Sequence, residues 1–122
     1  MRRLYLLLAA GIIVLGVVHI AAAPRAFPQL SSAAVWFASG GLAMILTGAL
    51  NLLRRVYGDL APGLRRVCFA ANVAMTGFAL LAGYVGHASV AEFVVVLVLV
   101  GGSTVLSVIP AAQLPIVEPQ QG

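Results

Sequence analysis

Residues 2–23 read RRLYLLLAAGIIVLGVVHIAAA. Two arginines open the run, and nothing from Leu4 to Ala23 is Lys, Arg, Asp or Glu. A membrane-spanning helix needs about 20 mainly apolar residues, and this run supplies them. Apolar runs of similar length, none with a Lys, Arg or Asp in its interior, follow at residues 30–53, 67–86 and 90–109. In lipid every backbone N–H and C=O must find a partner within the segment, so helices are the expected conformation. The alternating pattern of a membrane β-strand is absent. Residues 94–100, VVVLVLV, would suit a buried strand in water. Their apolar character continues to Ile109, however, and that length favours a helix. The expected fold is all-α, an integral membrane four-helix bundle over residues 1–110. A short cytoplasmic tail, residues 111–122, follows; it is rich in Pro and Gln and has no periodic apolar face.

Composition points the same way. Of the 122 residues, 62% are hydrophobic and 8% charged, against about 25% charged in a soluble domain. Mean hydropathy is +1.10. The pI near 10.3 comes from seven arginines with no lysine, for a net charge of +4. Those arginines sit in pairs between apolar runs, which is a topology signal and not a nucleic-acid-binding patch. The single cysteine, Cys68, excludes an internal disulfide and a CxxC redox pair.

Arginine placement orients the chain. Arg2 and Arg3 precede the first span, and Arg54, Arg55, Arg65 and Arg66 lie between the second and third. Arg25 alone falls at the other end. By the positive-inside rule both termini are cytoplasmic, and residues 24–29 and 87–89 face outward. Arg2-Arg3, the apolar run and Ala21-Ala22-Ala23 also have the outline of a cleavable signal. Pro24 would follow the cut, a position that signal peptidases reject, so an uncleaved first helix is expected. Arg2-Arg3 matches Arg65-Arg66, and Gly40-Gly41 matches Gly101-Gly102 at a similar offset. This suggests a two-plus-two parallel repeat about an axis normal to the membrane.

Lipid competes equally for apolar side chains, so small and polar residues are expected to bring the helices together. The inward stripes at helical spacing are Leu8, Ile12, Leu15 and His19; Trp36, Gly40, Met44, Thr47 and Asn51; Cys68, Asn72, Thr76, Ala79 and Gly83; and Glu92, Val96, Leu99, Ser103 and Ser107. Gly40, Gly41, Gly48 and Thr76 belong to this packing set. Asn51 and Asn72 lie near the cytoplasmic ends of adjacent spans, where a hydrogen bond between them is the expected pairing. Thr47, Thr76, Ser103, Thr104 and Ser107 can bond back to carbonyls of their own helices.

The remaining ionisable groups gather toward the outer end. His19, Arg25, His87 and Glu92, with Trp36 at similar depth, are the candidate ligand-binding residues of an outward polar pocket, because intramembrane ionisable groups are costly to keep. Simpler roles exist for each. Arg25 and Glu92 can pair, Glu92 suits the first turn of a helix, and Trp36, Tyr5, Tyr57 and Tyr84 can anchor at the interface. His19, His87 and Glu92 have metal-ligand chemistry but no ligand spacing. Two histidines in a four-helix bundle also raise haem ligation, and His19 with Glu92 raises acid–base catalysis. No metal, haem or other cofactor and no catalytic residue is expected.

Gly16, His19, Pro24, Trp36-Phe37, Gly40-Gly41, Gly48 and Leu50-Asn51 resemble a pattern in small uncharacterised bacterial inner-membrane proteins with four spans. The resemblance covers residues 16–51. It implies a multi-pass protein of the bacterial inner membrane and draws attention to His19, Trp36 and Asn51, without supplying a substrate. The expectation is a non-catalytic binding or accessory protein. Membrane lipid or another amphiphile is the expected ligand, and a second copy or another membrane protein a further partner. A small dimeric transporter is the alternative. The small exporters of the multidrug-resistance type carry a carboxylate in mid-span one, and span one here has no acid.

Overall fold

The computed structural model describes residues 2–87 and 89–109. Four helices form it: α1 (Arg2–Ala26), α2 (Ser32–Tyr57), α3 (Pro62–Val85) and α4 (Val90–Ser107). All four are long and apolar enough to cross a membrane. The expected tail, residues 111–122, lies outside the described residues.

The ends of the helices follow from local chemistry. Ser31 caps α2 by accepting from the Ala34 N–H at 3.2 Å. Pro62 opens α3, where its missing N–H is one that a helix leaves unbonded anyway. Ser89 and Glu92 form a reciprocal capping box on α4. Arg54 and Arg55 fall inside the last turn of α2, where cations complement the helix dipole. The helix therefore runs to Tyr57, four residues beyond the apolar stretch. Pro24 lies inside the last turn of α1 and does not end it; the Phe27 N–H still reaches the Ala23 carbonyl at 2.9 Å. His87 takes a left-handed backbone (φ 50°) in the turn before α4.

Helices α1 and α2 form a tight antiparallel pair. A Cβ on Gly16 would lie 2.6 Å from the Gly41 carbonyl oxygen, and one on Gly41 would lie 2.7 Å from the Gly16 carbonyl oxygen. Seven residues along, a Cβ on Gly48 would lie 2.8 Å from the Ala9 carbonyl oxygen. The two backbones are thus in contact, which only small residues permit. Each helix contributes one residue to the central apolar cluster: Ile12, Met44, Met75 and Val100. Tyr5 and Leu106 form a second cluster toward the arginine-bearing end.

Several inward expectations shift in the structure. Met44, Thr47, Asn51, Cys68, Asn72, Ser103 and Ser107 are buried as their stripes imply, but Trp36 is 73% exposed and Glu92 is exposed. On α1 the buried line is Tyr5, Ala9, Ile12 and Gly16. Leu8, Leu15 and His19 flank it, half-buried. A π-helical turn, Leu97–Gly101, interrupts α4. The paired glycines of the suggested repeat do different jobs. Gly41 meets the other helix of its own hairpin, whereas Gly102 faces Leu8 of α1 and Gly101 faces open space.

Candidate functional site

Three features bring chemistry together: a buried polar network, and a crevice toward each end of the bundle.

Asn51 of α2 is the hub of the network and is fully buried. Its Nδ2 donates to the Thr47 carbonyl at 2.8 Å and to Asn72 Oδ1 at 2.7 Å. Its Oδ1 accepts from the Tyr5 hydroxyl at 2.5 Å and from Asn72 Nδ2 at 2.9 Å. Cys68 adds a longer contact to the same oxygen at 3.4 Å. Both amide protons and both lone pairs of Asn51 are therefore used. Arg54, 4% exposed, donates from Nη1 to the Tyr5 hydroxyl at 3.5 Å. Further along α3, Thr76 bonds the Asn72 carbonyl and meets Thr104 of α4 at 3.1 Å. The chain of bonds thus touches all four helices.

The Asn51–Asn72 pair is the one the sequence suggests. Tyr5 is not where the sequence places it. Read as an interface anchor, it is instead fully buried against Asn51 and Leu106. Arg54, read as a topology marker, is drawn into the same cluster. Both lie at helical spacing from buried positions, Tyr5 four residues before Ala9 and Arg54 three after Asn51. That spacing was the available signal. Thr47, Thr76, Thr104 and Ser107 do bond to their own helices. The Ser103 hydroxyl is buried without a hydrogen-bond partner among the described residues. Ser103→Ala is expected to raise stability by about 1 kcal/mol, because the desolvated hydroxyl gains nothing in return. Thermal unfolding in detergent checks this, and a clear loss of stability would reveal a partner.

At the arginine-poor end the candidate residues have separate surroundings. His19 stacks on Phe37 of α2, with ring centroids 3.8 Å apart and planes 17° apart, and Phe27 closes on Phe37 at 5.5 Å. Its Nε2 would lie 3.6 Å from a Cβ on Gly40. Glu92 turns back on its own helix end, bonding the Ser89 hydroxyl at 2.8 Å and the Ser89 N–H at 3.0 Å. Arg25 and His87 are exposed. Among the described residues no three His, Cys, Asp or Glu side chains come together as a metal-binding group, so His19, His87 and Glu92 do not assemble as one.

Trp36 and Gly40 do belong to a common feature. They line a crevice of about 320 Å³ between α2 and α3, with Thr47 on the α2 side and Ala71, Ala74 and Phe78 on the α3 side. The walls are almost wholly apolar, and Gly40 is shared between this crevice and the His19 ring. At the arginine-bearing end a second crevice, about 440 Å³, is lined by Arg54, Arg65, Arg66, Phe69 and Ser107. Compared with protein families, curated proteins and solved structures, the chain finds no match.

Proposed function

We propose that this chain is a non-catalytic binding or accessory protein of the bacterial inner membrane, with both termini cytoplasmic, and that it holds a lipid or other amphiphile. The observation that carries the reading is the apolar crevice between α2 and α3, with Trp36 toward the arginine-poor end and Thr47 deeper along it. An acyl or isoprenoid chain suits walls of Ala71, Ala74 and Phe78. The indole N–H of Trp36, at the depth where aromatic rings meet headgroups, orients the polar end. His19 lies near Gly40, one of the lining residues: a Cβ at that position would come 3.6 Å from the His19 Nε2. Orientation rests on the six arginines at one end against Arg25 at the other.

The test is native mass spectrometry of the full chain gently extracted from its own membrane, with absorbance recorded on the same sample. A co-purifying amphiphile is expected with the wild type. Ala74→Leu fills the crevice from a lipid-facing position and should lower retention about tenfold, equivalent to ~1.4 kcal/mol. Trp36→Ala should also lower it. Unchanged retention in both variants removes the crevice as the site.

A further inference from the structure

We propose that the crevice at the arginine-bearing end is a second, independent site that binds the phosphate of an anionic membrane lipid. It stands at the other end of the bundle from Trp36 and does not rest on the amphiphile reading above. Three guanidinium-bearing side chains line it from two helices, Arg54 from the end of α2 and Arg65 and Arg66 from the start of α3. Guanidinium groups offer paired N–H donors that match phosphate oxygens. The N-terminus of α3 adds to the positive field. No side chain caps it, and after Pro62, which has no N–H, the Gly63 and Leu64 N–H groups of its first turn lack intrahelical acceptors. Arg65 and Arg66 are exposed, so an anion at the surface can reach both guanidinium groups.

The choice of a lipid over a free anion comes from the rest of the wall. Phe69, Pro62 and Val108 border the arginines, so an apolar surface continues directly from the charged one. A phosphodiester joined to acyl chains satisfies both. A basic pocket between spanning helices, level with the headgroups, is where such a lipid is held.

The experiment uses the full chain in detergent micelles doped with equal amounts of phosphatidylglycerol and phosphatidylcholine, read by native mass spectrometry. The wild type is expected to retain phosphatidylglycerol selectively. Arg65→Gln with Arg66→Gln should reduce that retention by roughly tenfold or more, given the usual contribution of each basic residue. Arg65→Lys with Arg66→Lys keeps the charge and should keep much of the binding. Arg2→Gln with Arg3→Gln removes equal charge from the same end but outside the crevice, and should leave retention near the wild-type level. Equal losses in the two glutamine pairs would overturn the proposal in favour of diffuse surface charge. Equal retention of both lipids by the wild type would overturn it too. Millimolar inorganic phosphate should fail to displace the lipid; displacement would mean a site for soluble phosphate. Phosphatidylglycerol selectivity that survives Ala74→Leu but not Arg65→Gln with Arg66→Gln assigns it to this crevice and not to the one beside Trp36.

Discussion

Asn51→Leu is expected to destabilise the bundle by about 4 kcal/mol. Leucine fits the space but makes none of the bonds. The Tyr5 hydroxyl loses its acceptor at 2.5 Å, and the Asn72 amide loses both of its bonds to α2. A hydrogen bond between membrane helices contributes roughly 0.6–2 kcal/mol, and each buried polar group left unpaired costs about 1–3 kcal/mol more. Tyr5→Phe removes the bond to Asn51 and the longer one from Arg54 and should cost only about 1 kcal/mol. Asn72→Leu should fall between. The double change at Asn51 and Asn72 should cost less than the sum of the single changes, because the two amides serve each other. Reversible unfolding in mixed detergent measures all four. If Asn51→Leu proves no worse than Tyr5→Phe, the network does not hold the helices together.

Gly41→Leu should be nearly as damaging, at about 3 kcal/mol. Its Cβ would meet the Gly16 carbonyl at 2.7 Å and the Ile20 backbone nitrogen at 3.1 Å. Neither is a flexible side-chain tip, so α1 and α2 must separate to admit it. Separation also opens the contact between Ile12 and Met44 in the central cluster. Gly77→Ala is the control. Nothing lies within 4 Å of a Cβ there, and alanine is the better helix former by about 1 kcal/mol, so stability should hold or rise. Unfolding in the same detergent system compares the pair. A Gly41→Leu protein as stable as the wild type would show that the two backbones do not touch.

Much of the fold was legible because hydropathy and membrane thickness act on the whole chain at once. Four runs of suitable length, separated by arginines, leave few alternatives. Helix ends were less legible. Arg54 and Arg55 looked like the start of a loop, yet α2 continues through them to Tyr57 because long cationic side chains are favourable in a last helical turn. The π-helical turn at Leu97–Gly101 leaves no mark in the apolar pattern, since its four valines and leucines and one glycine read the same in either winding. The candidate site was legible in part. Asn51 and Asn72 were paired from their depth alone. Trp36 was expected to turn inward among charged groups, and instead lies exposed beside an apolar crevice. Charge and depth group Glu92 with His19 in the sequence, but its carboxylate bonds Ser89 in its own capping box.

Hydrophobicity, length and the placement of charge are properties of single segments, and these alone specify four helices long and apolar enough to cross a membrane, with arginine gathered at one end. Which faces meet depends on how closely two backbones can approach, a property of pairs of segments. Gly16 against Gly41, and Ala9 against Gly48, set that approach and fix the rotation of α1 on α2. The rotation in turn carries Tyr5 into the interior, where its hydroxyl finds Asn51. Between α2 and α3 the bundle gaps instead, leaving one crevice walled by Trp36 and Ala74, and where the ends of α2, α3 and α4 meet it leaves another, walled by Arg54, Arg65 and Ser107. A gap is made by the residues that fail to touch, and that can be known only after every helix has taken its place.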